Sequence, residues 1–177
     1  MSSQTATYPT QFTLLDSPIG ELLLIGNGRA MTGLYFQNHQ HPPKRDASWQ
    51  QEAEPFQEAI GQLNQYFAGE LKEFSLTLAP SGTEFQRAVW TELRSIPFGE
   101  RRTYGQLAAA MNKPTASRAV GAAIGRNPIS ILIPCHRVVG TDGSLTGFAG
   151  GLDRKKALLE REQTPARSGG LHNKPMN

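Results

Sequence analysis

A chain of 177 residues, 38% hydrophobic and 19% charged, is long enough to bury a core and ordinary for a globular protein. A single cysteine excludes an internal disulfide framework and fits a reducing compartment, and no apolar run approaches the ~20 residues of a membrane span. The net charge of +3 hides an asymmetry: residues 1–80 hold 4 Lys/Arg against 8 Asp/Glu, residues 81–177 hold 14 against 7. A basic half suggests a polyanion partner, and a solvated basic surface gives the same count.

The first residues, MSSQTATYPTQF, have neither a basic start nor an apolar centre, so no signal peptide is expected. Residues 21–36 read as a hairpin, with Asn27-Gly28 supplying two left-handed residues to a tight turn. Residues 38–54 are polar and contain prolines, as a loop does. Residues 55–69 form an amphipathic pattern with Phe56, Ile60, Leu63 and Phe67 on one face and Gly69 as the stop. Residues 73–78 alternate like a strand. Residues 79–82, APSG, mark the boundary where the charge changes sign.

Beyond it, Thr83 with Gln86 and Thr103 with Gln106 are capping boxes that open two helices. The first carries Phe85, Val89 and Leu93 and is broken by SIPFGE. The second, YGQLAAAM, turns at NKP into a further short helix over 115–125, a helix-turn-helix pattern. An apolar strand is expected over 129–133, then a Gly-rich hairpin or loop over 140–152. A last helix spans 153–163 with Asp153 as its cap, and residues 165–177 read as a disordered tail. No internal repeat is present.

The sole cysteine lies in ISILIPCHRVVG. Pro134 ends the apolar run, and Cys135 is followed by His136 and Arg137. A nucleophilic cysteine needs a base or a positive field, because the thiolate is the reactive form. Local sequence leaves Cys135 open between that role and a small buried hydrophobe. Glu162 shares a helix face with Leu158 and reads either as a buried orienting carboxylate or as an exposed helix end. Arg118 stands among small residues, which suit close helix packing or entry into a nucleic-acid groove. Tyr104 opens the preceding helix, where a core or rim aromatic is the commoner role. His39 and His41 have H-x-H spacing but no cysteine or acidic partner, so a metal site is rejected. The glycines of 143–151 match no phosphate-loop pattern.

NPISILIPCHRVVG (127–140) and GFAGGLDRKKALLERE (147–162) resemble the active-site region of the O6-alkylguanine-DNA alkyltransferases. TEFQRAVWTELRSIPFGERRTYGQLA (83–108) and SRAVGAAIGRNP (117–128) resemble the same family in the expected order, and residues 17–36 and 63–71 look like its more variable amino-terminal domain. The resemblance implies an α+β fold of two domains. Residues 1–80 would be a ribonuclease H-like sheet with a helix. Residues 81–164 would be a mostly helical, winged-helix-like domain with a helix-turn-helix.

The implied activity is direct reversal of DNA damage. An alkyl group moves irreversibly, in a single turnover, from O6 of guanine, and from O4 of thymine, to Cys135. His136 would deprotonate Cys135 through a bridging water, with Glu162 orienting the imidazole and Asn127 bracing the turn. Tyr104 would assist the guanine leaving group and press on the flanking phosphate. The carbonyls of Cys135 and Val138 would read the guanine amine, and the Ala149 amide would face O6. Arg118 would fill the place of the flipped-out base, with the helix in the minor groove of double-stranded DNA. The resemblance further implies no cofactor, no metal, no membrane and no sensing domain. It implies a cytoplasmic monomer, with cooperative binding along DNA left open.

Phe148 stands where many relatives carry Tyr, which bears on the alkyl groups accepted. Three other readings compete. A damage-binding module without transfer would lack the acceptor cysteine. A major-groove regulator would offer Asn, Gln or Arg to base edges, where this helix offers Ala and Gly. A cysteine hydrolase would need an oxyanion hole and would turn over.

Overall fold

The computed structural model describes residues 8–163. The expected disorder of residues 165–177 lies outside the described residues. The mixed α+β arrangement is observed, with a sheet in the amino-terminal half and helices in the rest.

Strands β1 (Gln11–Leu15), β2 (Leu22–Gly26), β3 (Met31–Phe36) and β4 (Gln50–Gln51) form one sheet in the order β3-β2-β1-β4. The hairpin expected over 21–36 is the antiparallel pair β2–β3. Its turn differs from the expectation. The Asn27 side chain accepts the amides of Arg29 and Ala30, so it closes the turn itself, and only Gly28 of the pair is left-handed, at φ 79°. A bulge at Ile25/Gly26 takes up the extra length. Strand β1 is absent from the sequence reading, as is β4, which lies inside the expected loop and pairs in parallel with β1.

Leu22, Leu24, Leu34 and Phe36 of the sheet are buried. A 3₁₀ turn at Glu54–Phe56 leads into α1 (Gln57–Phe67), which buries Phe56, Ala59, Leu63, Tyr66 and Phe67. Ile60 is only half-buried, and Gly69, at φ 79°, ends the helix as expected. Residues 73–78 do not form a strand. Only Leu78 bridges, to Met31 on the outer edge of β3, through the Met31 amide to the Thr77 carbonyl and the Ala79 amide to the Met31 carbonyl.

Helices α2 (Glu84–Leu93) and α3 (Tyr104–Ala110) both open with complete capping boxes, Thr83 with Gln86 and Thr103 with Gln106. Just before α3, β5 (Arg102–Thr103) pairs in parallel with β6 (Val138–Val139). Helix α4 (Ser117–Gly125) follows α3 across the turn and completes the helix-turn-helix. The Trp90 indole of α2 donates to the Ala123 carbonyl at 2.8 Å and fixes α4 from behind. Helix α5 (Leu152–Gln163) begins one residue before Asp153, so Asp153 sits in its first turn rather than capping it. There its carboxylate meets the positive end of the helix.

The apolar run 129–133 is not a strand. Ile129 alone bridges to Leu34 of β3, and the chain then coils, with Ile131 left-handed at φ 69°. Its amides are satisfied within the coil: Leu132 donates to Ser130, Ile133 to Ile129 and Cys135 to Ile133. Hydrophobicity buries this segment, but local bonds and not a ladder satisfy its backbone.

Candidate active site and DNA interface

Cys135 opens a 3₁₀ turn, Cys135–Arg137, that follows the coil. All three residues are buried, and so is Asn127, just past the end of α4. The Asn127 amide donates to the Ile133 carbonyl at 2.9 Å and its carbonyl oxygen accepts the Ile129 amide at 3.0 Å. One side chain thus closes both ends of the coil that delivers the cysteine.

In a 3₁₀ turn, consecutive side chains diverge by about a third of a revolution, so Cys135 and His136 face different surroundings. The His136 Nε2 lies 2.7 Å from Glu162 Oε1, at the end of α5. Glu162 is buried, so the alternative of an exposed helix end is set aside. Burial pushes its carboxyl up. Hydrogen bonds from His136 and Arg137, with the Arg137 charge, outweigh that and bring it to about 2. The carboxylate is therefore ionised and can only accept, so His136 Nε2 carries the hydrogen. The other ring nitrogen, Nδ1, is buried and has no hydrogen-bond partner among the described residues. Burial lowers the His136 pKa, partly offset by Glu162 and reinforced by Arg137 and Lys155. The result is a neutral imidazole with an unused lone pair in the same turn as the thiol.

Burial pushes the Cys135 thiol up. The Asn127 side chain, the Lys155 charge and the amides of Cys135 and His136 pull it back. The resting form is the thiol, and its reactivity depends on a base.

Three residues of this site went unassigned in the sequence reading. Arg137 donates from Nε to Glu162 Oε2 at 2.9 Å, from Nη2 to Oε1 at 2.8 Å and from Nη1 to the Ile96 carbonyl at 2.6 Å. Tyr66, on α1, donates its hydroxyl to Glu162 Oε1 at 2.8 Å. Lys155 is 0% exposed, donates to the Thr146 carbonyl at 2.8 Å and acts electrostatically on Cys135. Burial lowers its pKa to about 8, with Cys135 opposing. A signal for Lys155 existed: Lys155, Leu158, Leu159 and Glu162 follow the i, i+3, i+4, i+7 spacing of one helix face, and all four are buried. No local signal marks Tyr66.

Tyr104 begins α3, half-buried, with its hydroxyl 3.2 Å from the same Thr146 carbonyl. Its ring lies against Gly121, where an added Cβ would stand 3.6 Å away, at ordinary van der Waals contact. Arg118 is exposed in the first turn of α4. Ala119, Ala122 and Arg126 are exposed with it, while Val120, Ala123 and Ile124 are buried. The outer face of α4 is thus almost smooth, with an arginine toward either end. Val138 is buried in β6, its amide donating to the Cys135 carbonyl. Ala149 is half-buried in the loop before α5, and Phe148 is buried against Phe36 with ring centroids 5.9 Å apart. His39 is buried, and its Nδ1 accepts the His41 amide at 3.1 Å. Among the described residues no cluster of three or more metal-ligating side chains occurs, and no helix is long and apolar enough to cross a membrane.

A buried thiol, an imidazole paired with a carboxylate and a helix-turn-helix thus occur together in one chain. Residues 84–164 match the DNA-binding domain of 6-O-methylguanine DNA methyltransferase, and residues 11–80 match that family's ribonuclease-like domain. The chain belongs to the 6-O-methylguanine DNA methyltransferase family. It is 50% identical over 151 residues to the methylated-DNA–protein-cysteine methyltransferase of Methanosarcina acetivorans, covering 85% of this chain and 97% of that one. A crystal structure of the Mycobacterium tuberculosis O6-methylguanine methyltransferase superposes with a TM-score of 0.82 at 48% identity, covering 89% of this chain and 96% of that one. A structure of Mycobacterium tuberculosis OGT in complex with DNA gives 0.81 at 47% identity, covering 86% and 92%. The chain is accordingly a DNA-binding methyltransferase that repairs DNA by alkyl transfer to cysteine.

Proposed function

We propose that Cys135 is the alkyl acceptor and that each molecule acts once. The observation that carries this reading is a His136 held on Glu162 through Nε2, with its Nδ1 lone pair unused, in the same short turn as the only thiol in the sequence. His136 takes the thiol proton through a bridging water. The thiolate pair attacks the alkyl carbon in line, the carbon–O6 bond breaks, and its electron pair leaves on guanine, which takes up a proton. The thioether formed has no good leaving group, so the chain has no route back. Alkylated O4 of thymine presents the same chemistry.

Asn127 holds the turn and Glu162 holds the imidazole, both as positioning residues. Tyr104 hydrogen-bonds the leaving guanine in place of the Thr146 carbonyl and presses on the neighbouring phosphate. The carbonyls of Cys135 and Val138 receive the guanine amine, and the Ala149 amide faces O6. A target base must leave the stack to reach a buried thiol, at a few kcal/mol. Arg118, exposed at the start of α4, fills the gap it leaves. The smooth face of α4 suits the minor groove, where close backbone approach matters more than base-edge contacts. Residues 1–80 form the amino-terminal domain and residues 81–164 the acceptor and DNA-binding domain, acting as a monomer.

Intact mass after incubation with a duplex holding one O6-methylguanine tests this. A gain of one methylene per chain, saturating at one equivalent and absent in Cys135→Ala, is expected. Unchanged mass with duplex binding intact leaves a damage-binding module instead.

A further inference from the structure

Arg154, in the first turn of α5, makes no ion pair with a carboxylate among the described residues. Its guanidinium instead gathers three backbone carbonyls from separate segments: Nε to Ile19 at 3.0 Å, Nη1 to Gln37 at 2.7 Å and Nη1 to Gly150 at 3.0 Å. Ile19 lies in the β1–β2 connection, Gln37 follows β3, and Gly150 lies in the loop before α5. The same guanidinium sits 5.2 Å over the Phe36 ring. Phe36 packs on Phe148, and the Gln40 amide donates to the Ala149 carbonyl at 2.9 Å.

Two glycines make the approach possible. A Cβ at Gly20, which is left-handed at φ 106°, would stand 3.2 Å from Arg154 Nη2. A Cβ at Gly150 would stand 2.4 Å from the Phe36 ring. The segment 148–150 is therefore held against the amino-terminal sheet, and Arg154 is the knot of that contact.

We propose that Arg154 is a positioning residue for alkyl transfer: it pins the 148–150 segment to the amino-terminal sheet, so that the sheet sets the depth of the alkyl pocket. The inference rests on the reading above, in which the Ala149 amide meets guanine O6. A planar fork is needed to reach three carbonyls at once, and an ammonium on a flexible stem does not supply it. Without the pin the segment relaxes away from the acceptor. Small alkyl groups then lose alignment, while bulky ones gain room.

The test compares wild type with Arg154→Lys and Arg154→Gln, each kept well below its own Tm so that all molecules are folded. Single-turnover rates at saturation are measured by intact mass on duplexes with O6-methylguanine or O6-benzylguanine. Affinity for undamaged duplex is measured by fluorescence anisotropy. Both variants are expected to bind undamaged duplex as wild type does and to transfer methyl roughly tenfold more slowly, as small misplacements at a reacting centre do. Their benzyl-to-methyl rate ratio rises. Wild-type rates in Arg154→Lys overturn the inference, because charge alone then suffices. An equal fall of both rates also overturns it, because pocket depth is then unaffected. A wild-type chain that takes up no alkyl group from either duplex overturns the underlying reading, and the inference with it.

Discussion

Tyr66 and Glu162 stand 96 positions apart in sequence, yet the phenol of one donates to the carboxylate of the other at 2.8 Å. The receiving oxygen, Oε1, also meets His136 Nε2 and Arg137 Nη2. The carboxylate is therefore held from the amino-terminal half and from the Cys135–Arg137 turn. Burial and then the Glu162 charge raise the Tyr66 pKa, so the phenol remains a donor throughout the working pH range.

Tyr66→Phe removes one charge-assisted hydrogen bond and leaves the ring packing intact. It is expected to lower stability by about 1.5–3 kcal/mol. Urea unfolding checks this. Transfer continues in the variant, because His136 and Arg137 still hold Glu162.

Acid stability follows from Glu162. Its carboxyl ionises near 2 in the folded chain, against a reference of 4.5. The depressed value contributes stability that is fully present above about pH 4.5 and is lost as pH falls toward 2. Thermal melts across that window are expected to show a steeper fall in wild type than in Glu162→Gln. The variant starts from a lower Tm, because it leaves the buried Arg137 without a countercharge.

Lys155 works in the opposite sense. It loses its proton near pH 8 when folded and near 10.5 when unfolded, so between these values the unfolded chain binds the extra proton and stability rises with pH. Lys155→Met is expected to raise the Tm at neutral pH and to abolish the alkaline rise. The same change removes a charge that favours the Cys135 thiolate. Transfer by the variant is expected to be slower, with its rate-against-pH curve displaced upward. A stabilised chain with undiminished transfer would contradict this assignment.

Arg118→Ala separates base extrusion from chemistry. The residue is exposed on α4 and makes no contact with Cys135. Transfer from a duplex is expected to fall, by 1–3 kcal/mol in binding and activation together, as for loss of a well-placed nucleic-acid contact. Transfer from the free base O6-benzylguanine is expected to stay at the wild-type rate, since no base need be flipped.

Elements closed by local chemistry were legible in the sequence. Thr83 with Gln86, Thr103 with Gln106 and the stop at Gly69 act within a few residues, and each stands where its pattern places it. The acceptor motif carried the family. Residues 129–133 misled because an apolar run reports burial and not backbone direction, and the left-handed Ile131 coils it. Strand β1 has two buried positions, Phe12 and Thr13, too few for an alternating signal. Tyr66 and Arg137 gain their roles only when distant segments meet on Glu162. Lys155 was obscured because lysine is expected outside, although its helix position pointed inward.

The outer face of α4 bears on a search problem. Ala119 and Ala122 present methyl groups, and Arg118 and Arg126 present charge, so between the two arginines no exposed side chain can pair with a base edge. A helix of this kind surveys every stretch of a genome on equal terms. For a protein that, as proposed above, is spent by its first success, such indifference is an asset. Capacity is then set by the number of fresh copies, and coverage by how freely each copy moves before it meets a lesion.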